Sequence, residues 1–147
     1  MAAARHARVT WSGDLTSGSG TIEDVGSGAF SKLPVSWAAR TESSDGKTSP
    51  EELLAAAHAS CFAMALSNGL AKAGTPAERL SVEATVTFDK VDGGWRVASS
   101  ALSVRGKVPG AKAEDFQTAA GAARDGCPIS QALKDNVKLS VEASLES

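Results

Sequence analysis

Alternating apolar and polar positions predict strands along much of the chain. The alternation runs from Ala7 to Ser12, recurs from Leu80 to Phe88, and is most regular from Val137 to Leu145. A period of two is typical of a strand with one buried face. A second strand is expected near Gly20–Val25 and a weaker extended piece over Leu33–Thr41, so the first part of the chain is predicted to form an antiparallel meander.

The segment after Phe88 is predicted to return as a hairpin. Asp92-Gly93-Gly94 supplies residues that favour a tight turn. The apolar residues of the return strand first occupy odd positions and later even ones, so we expect a β-bulge between Ser99 and Ala101.

A long apolar helix is predicted in the middle of the chain. Ser49 supplies an N-cap hydroxyl, Pro50 fits the first helical position, and Glu52 completes a capping box. The helix should run to about Gly74. It is apolar on all sides from Leu53 to Leu66, and such a helix is expected to be covered on all sides.

Two shorter helices should precede the last strand. The first is expected over Lys112–Asp125, stopped by Gly126, and the second from Pro128 through Leu133, with Cys127 at its N-cap. Several strands precede the long helix and a hairpin follows it, without regular alternation of strands and helices, which predicts an α+β fold.

Composition narrows the functional classes. A chain of 147 residues can form one domain, 1–147, without disulfides or a structural metal. Its 15 basic and 17 acidic residues give no basic field for nucleic acid. No secretory signal is recognisable, so we expect a cytoplasmic protein. The uncharged stretch between Glu52 and Lys72 approaches the length of a membrane span, but its many alanines and scattered polar residues favour burial within protein, and no membrane association is expected.

The two cysteines are the residues most suited to chemistry. A cysteine inside an Ala-rich helix, as Cys61 is, is most often a small buried apolar residue. Helix N-terminal amides at Cys127 would favour the reactive thiolate. His58, one turn before Cys61, could combine with both cysteines and His6 as zinc ligands, although structural zinc ligands more often come as two close pairs. A thiol- or zinc-binding module without enzymatic activity is therefore the alternative to an enzyme.

Two further residues have ordinary explanations when taken alone. Glu51 lies at a helix N-terminus, where the helix dipole favours an acidic side chain. Arg40 ends the extended piece that carries Trp37, and an exposed arginine needs no function.

The motifs together resemble the OsmC branch of the OsmC/Ohr family of thiol peroxidases. The resemblance rests on the run from Ser49 to Leu66 and on Gly126-Cys127-Pro128-Ile129-Ser130, and it extends to Trp11-Ser12-Gly13-Asp14 and to the hairpin between Leu80 and Val97. It implies the OsmC-like fold, in which antiparallel sheets pack around a long, buried central helix in an intertwined homodimer. It also implies reduction of organic hydroperoxides, with no metal and no bound organic cofactor.

The resemblance also implies residue roles. Cys61 would be the peroxidatic cysteine that becomes a sulfenic acid, and Cys127 the resolving cysteine that forms a disulfide with it. A dithiol reductant, such as a lipoyl group or a small thiol, would regenerate the pair. Arg40 and Glu51 match the residues that activate the peroxidatic thiol.

Two expectations follow for the surroundings of Cys61. Leu54, Phe62 and Met64 are candidates for an apolar lining that favours alkyl hydroperoxides over hydrogen peroxide. Ten helical residues would place Glu51 about 15 Å along the axis from Cys61. Either the helix breaks or a partner subunit delivers Arg40 and Glu51, and we favour the partner.

Overall fold

The computed structural model describes residues 1–146 and shows an α+β chain, as the sequence predicts. The chain forms two compact units, one covering residues 1–53 and the other beginning at residue 54. The single domain expected from the sequence stays a prediction, and each unit is described by itself below.

The first unit contains a three-stranded antiparallel sheet. Its strands, in sheet order, are β1 (Ala7–Ser12), β2 (Ser19–Val25) and β3 (Ser31–Val35). The antiparallel meander predicted for the first part of the chain is therefore confirmed.

The extended piece predicted over Leu33–Thr41 is wrong in its second half, because the chain turns there into a short helix, α1 (Trp37–Thr41). Ser36 begins this helix, since its Oγ accepts a hydrogen bond from the N–H of Ala39 at 3.1 Å. The N-cap serine outweighs the weak strand pattern around Trp37.

The long helix α2 (Pro50–Lys72) begins and ends close to where the sequence predicts. Ser49 Oγ accepts from the N–H of Glu52 at 3.1 Å. The reciprocal half of the capping box is replaced, because the Glu52 carboxylate instead accepts from Thr48 Oγ1 at 2.8 Å. Gly74, with a φ of +89°, takes the left-handed conformation that ends the helix.

The expectation that α2 is covered on all sides is wrong for the single chain. One face is buried and carries His58, Phe62, Leu66 and Leu70, whereas Met64 on the other face is 72% exposed. Only 22% of the most apolar window of α2 is buried. The helix is long and apolar enough to cross a membrane by length and composition alone, a criterion that core helices also meet.

The second unit contains a second three-stranded sheet. Its strands, in sheet order, are β4 (Arg79–Val91), β5 (Gly94–Lys107) and β6 (Lys138–Leu145). β4 and β5 form the predicted antiparallel hairpin, whose turn places Asp92 and Gly93 at positive φ.

A bulge is present in the hairpin, but it does not lie between Ser99 and Ala101. Thr87 pairs with Ser99 and Phe88 with Val97, so Ala98 is the extra residue. The inward-facing even positions begin at Ser100, which is fully buried. Because Ser100 is polar, the apolar pattern of the sequence does not show that the inward-facing even positions begin there.

The expectation of antiparallel sheets is wrong for one pairing, because β6 runs parallel to β5. Two helices lie between these strands in the sequence, α3 (Ala113–Gly126) and α4 (Pro128–Leu133), close to the predicted bounds. Neighbouring parallel strands require such a long crossover connection. The core of this unit packs the buried face of α2 against β5 and α3, through residues that include Phe62, Leu66, Leu102, Val104 and Phe116.

Candidate active site

Cys61 lies in the middle of α2 and is half-buried. It lines an open cleft of about 720 Å³ between α2 and the segment that includes α3 and the start of α4. Met64 and Ala65 line this cleft, as expected for Met64, whereas Leu54 is not among its lining residues. Phe62 does not, because its side chain is fully buried in the core.

Cys127 is fully buried at the N-cap of α4, where the sequence places it. Its Sγ accepts a hydrogen bond from the N–H of Ser130 at 3.4 Å, and its thiol donates to Ser130 Oγ at 3.1 Å. The first amides of a helix have no partner within the helix. Pro128, at the first helical position, has no N–H, and the N–H of Ser130 finds its acceptor in Cys127 Sγ.

The fold brings the two cysteines together at the start of α4. The N–H of Ile129 donates to Cys61 Sγ at 3.5 Å, and both thiols are free. Burial raises the pKa of Cys61, the Ile129 N–H lowers it, and the neighbouring Cys127 thiol raises it. The net pKa of Cys61 lies above its ordinary value, and none of these three influences is a positive charge.

His58 is fully buried between two serines. Its Nδ1 lies 2.6 Å from Ser100 Oγ and its Nε2 lies 2.7 Å from Ser130 Oγ. Burial lowers the pKa of His58, which favours the neutral ring. Sequence reasoning missed both serines, although Ser100 interrupts the apolar phase of β5 and could have signalled a buried polar partner.

The zinc alternative built on His58, Cys61, Cys127 and His6 finds no support in this geometry. Both nitrogens of His58 are occupied by serine hydroxyls. Across residues 1–146, no group of three or more His, Cys, Asp or Glu side chains is arranged to hold a metal ion.

Arg40 and Glu51 meet within the first unit. Arg40 Nε donates to Glu51 Oε1 at 2.8 Å, and the Arg40 guanidinium lies 5.9 Å from the centroid of the Trp37 ring. Glu51 is only 6% exposed, and its second oxygen, Oε2, has no hydrogen-bond partner in the described chain. Arg40 and Trp37 also line a cleft of about 390 Å³ whose wall includes Trp11.

The family model described as OsmC-like protein matches residues 43–142, which include Glu51 and both cysteines. The chain belongs to the OsmC-like protein family. The resemblance to the OsmC branch, which the sequence motifs indicate, is thereby confirmed.

Relatives and solved structures agree with this membership. The chain is 41% identical over 129 residues to the peroxiredoxin OsmC of Escherichia coli, covering 88% of this chain and 89% of the relative. It is 33% identical over 101 residues to the organic hydroperoxide resistance protein-like 2 of Staphylococcus saprophyticus, covering 67% and 69%. The crystal structure of the organic hydroperoxide resistance protein OhrB of Bacillus subtilis matches 94% of this chain and 97% of its own, with a TM-score of 0.72 and 26% identity. The OsmC-like fold is therefore confirmed.

Proposed function

We propose that this OsmC-like protein is a cytoplasmic peroxidase that reduces organic hydroperoxides to alcohols and so protects against oxidative stress. The names of its relatives, a peroxiredoxin and organic hydroperoxide resistance proteins, support this class of reaction. The observation that carries the proposal is the meeting of two free thiols, Cys61 in an open cleft and Cys127 buried beside it.

The reaction takes three steps. The Cys61 thiolate attacks a peroxide oxygen, the O–O bond breaks, and the alcohol leaves with a proton, so that Cys61 becomes a sulfenic acid. The Cys127 sulfur then attacks the Cys61 sulfur, the S–O bond breaks, and water leaves as the disulfide forms. A dithiol of the lipoyl type returns both cysteines to thiols by exchange and is itself oxidised to a disulfide.

The first step needs a cation near Cys61. Its pKa is raised by burial, so few molecules carry the thiolate near neutral pH unless a positive charge stabilises it. Arg40 is the proposed source, with Glu51 holding its guanidinium through the 2.8 Å hydrogen bond. The charge would also bind the peroxide oxygens.

We assign Arg40 and Glu51 at each site to the partner subunit of an intertwined homodimer. The continuous helix α2, from Pro50 to Lys72, supports the partner route over a break in the helix. The exposed apolar face of α2, with Met64, is the surface that a second copy would cover.

The cleft at Cys61 favours an apolar substrate. Its apolar wall is formed by side chains of α2 and α3, and Asn68 and Lys72 also line it. The apolar residues are Met64, Ala65, Ala119, Ala122 and Ala123. Such a surface gains more from an alkyl or aryl group than from hydrogen peroxide.

Thiol titration tests the proposal. One equivalent of cumene hydroperoxide should remove two free thiols per chain from the wild type and produce one equivalent of the alcohol. Cys61→Ser should consume no hydroperoxide. Cys127→Ser should consume one equivalent and then fail to recycle with a dithiol. A wild type that keeps both thiols in the presence of hydroperoxide would overturn the proposed function.

A further inference from the structure

A buried chain of hydrogen bonds ends on the sulfur of Cys127, and the reaction as described above does not use it. The Cys127 thiol donates to Ser130 Oγ at 3.1 Å, and Ser130 Oγ lies 2.7 Å from His58 Nε2. The other ring nitrogen lies 2.6 Å from Ser100 Oγ. All four side chains have 0% exposure. We call Cys127, Ser130, His58 and Ser100 the buried relay.

The donors and acceptors of the buried relay determine the direction in which a proton can pass along it. Ser130 Oγ accepts the thiol proton of Cys127, so its own proton is directed at Nε2 of His58. The neutral ring then carries its proton on Nδ1 and donates it to Ser100 Oγ. This tautomer is assigned from the hydrogen-bond network. Burial alone lowers the pKa of His58, which keeps Nε2 available as an acceptor at rest.

Cys127 needs a proton acceptor that solvent does not provide. A thiol must lose its proton to become the attacking thiolate. Because Cys127 is fully buried, bulk water does not reach its sulfur, and the hydroxyl of Ser130 is the acceptor in contact with it. A hydroxyl can take that proton only while it passes its own proton onward, and His58 stands at the required position.

We propose that Ser130, backed by His58, takes up the proton of Cys127 when this thiol attacks Cys61. The inference rests on the proposed two-cysteine reaction. The Cys127 proton moves to Ser130 Oγ while the serine proton moves to Nε2. The S–S bond then forms as the S–O bond of Cys61 breaks. The extra proton of the imidazolium returns through Ser130 to the leaving hydroxide, which departs as water, so no net proton is consumed. Ser130 contacts the reacting sulfur, and His58 acts through it as a positioning residue.

The same step can be measured without a hydroperoxide. Dithionitrobenzoate is an aromatic disulfide whose released thiolate absorbs visible light. Cys61, which faces the open cleft, should release the first equivalent by forming a mixed disulfide. Cys127 should then attack that mixed disulfide and release the second equivalent, so the second phase reports the deprotonation of Cys127.

Ser130→Ala should slow the second phase by about tenfold or more, as expected for loss of a positioned proton acceptor. The first phase should change by less than about twofold, because Cys61 receives its hydrogen bond from Ile129. The deficit should close as the pH rises, since hydroxide then replaces the relay as the base. Ser130→Thr, which keeps the hydroxyl, should recover most of the rate. Ser103→Ala, an exposed serine of β5, is the matched control.

Two results would overturn the inference: a second phase in Ser130→Ala within about twofold of the wild type, or a deficit that stays constant with pH and so reflects misplacement of the sulfur. If Ser130→Ala does not fold, the wild type in heavy water decides, because a proton in transfer slows the second phase and not the first. The two hypotheses can fail separately. If Ser130→Ala slows the second phase but the wild type consumes no hydroperoxide, the buried relay acts in disulfide exchange and the proposed peroxidase function is wrong.

Discussion

Glu51 holds Arg40 with one oxygen and keeps the other buried. Oε1 accepts from Arg40 Nε at 2.8 Å, whereas Oε2 has no hydrogen-bond partner among residues 1–146. A carboxylate this deeply buried depends on its cation, because removing the cation leaves an uncompensated charge in a poorly solvated place. The pair is therefore expected to be coupled in stability as well as in function.

Arg40→Met should lower the free energy of unfolding more in the wild type than in the Glu51→Gln background. The difference, measured by urea unfolding at one protein concentration, should be about 0.5–3 kcal/mol, as for other interacting pairs. The exposed pair Lys107 and Glu78, 3.0 Å apart, is the matched control and should couple by less than about 1 kcal/mol. Equal coupling in the two pairs would show that burial of Glu51 does not matter.

Cys127→Ala should lower the pKa of Cys61. Burial is the main cause that raises this pKa and remains in the variant, but the additional rise due to the Cys127 thiol is removed. More thiolate is then present at any pH below the midpoint, so alkylation by iodoacetamide should be faster near neutral pH and its midpoint should move to lower pH. A midpoint that moves upward would contradict this account of the Cys61 environment.

Gly106→Ala should destabilise the protein by about 1–3 kcal/mol, the usual cost of overpacking a core. A Cβ there would lie 2.6 Å from Phe116 Cζ, and Phe116 is fully buried. Gly121→Ala is the opposite control, since a Cβ in α3 meets nothing within 4 Å and alanine is the better helix former by up to about 1 kcal/mol. The midpoint temperature of thermal unfolding should therefore fall in Gly106→Ala and rise in Gly121→Ala. Shifts of the same sign would show that packing at Gly106 does not decide the stability of its variant.

Met64→Glu should dissociate the proposed homodimer. Met64 is 72% exposed in the single chain, and a charge there would be buried against a second copy. Sedimentation should report the wild type as a dimer and the variant as a monomer, while Met64→Leu, which keeps an apolar side chain, should stay dimeric. A wild-type monomer would remove the partner route for Arg40 and Glu51.

Local signals in the sequence were sufficient for most elements of the fold. Alternation predicts β1, β4 and β6, and the proline and serine at its N-terminus predict α2. The short helix α1 is not predicted, because its five residues are too few to show a helical period, and the Ser36 cap is the single local sign of it. The parallel pairing of β6 with β5 depends on how the crossover folds back, which no local pattern records.

In the candidate site, too, some residues carry a local sequence signal and others are recognisable only in the folded chain. The two cysteines could be singled out by residue type and by context, since one follows a histidine by three positions and the other precedes a proline. Ser100 could be suspected of burial because it interrupts the apolar phase of β5. Neither serine could be assigned to His58, however, because the two lie 42 and 72 positions from it in the sequence and meet it only in the folded chain. A buried histidine shows its partners only once the packing around it is known.

The parallel pairing of β6 also bears on the order in which the protein assembles during synthesis. β4 and β5 are adjacent in the sequence, whereas β6 pairs across the crossover, as Ser99 does with Lys138. Local hairpins form before such distant pairings. Because Cys127 follows Cys61 by 66 positions, Cys61 is synthesised well before it. If the two-cysteine reaction proposed above holds, a nascent chain that meets an oxidant at this stage would lack the proposed resolving thiol. Pulse-labelled hydrogen exchange should protect the amides of β4 and β5 before those of β6, and simultaneous protection would contradict this order.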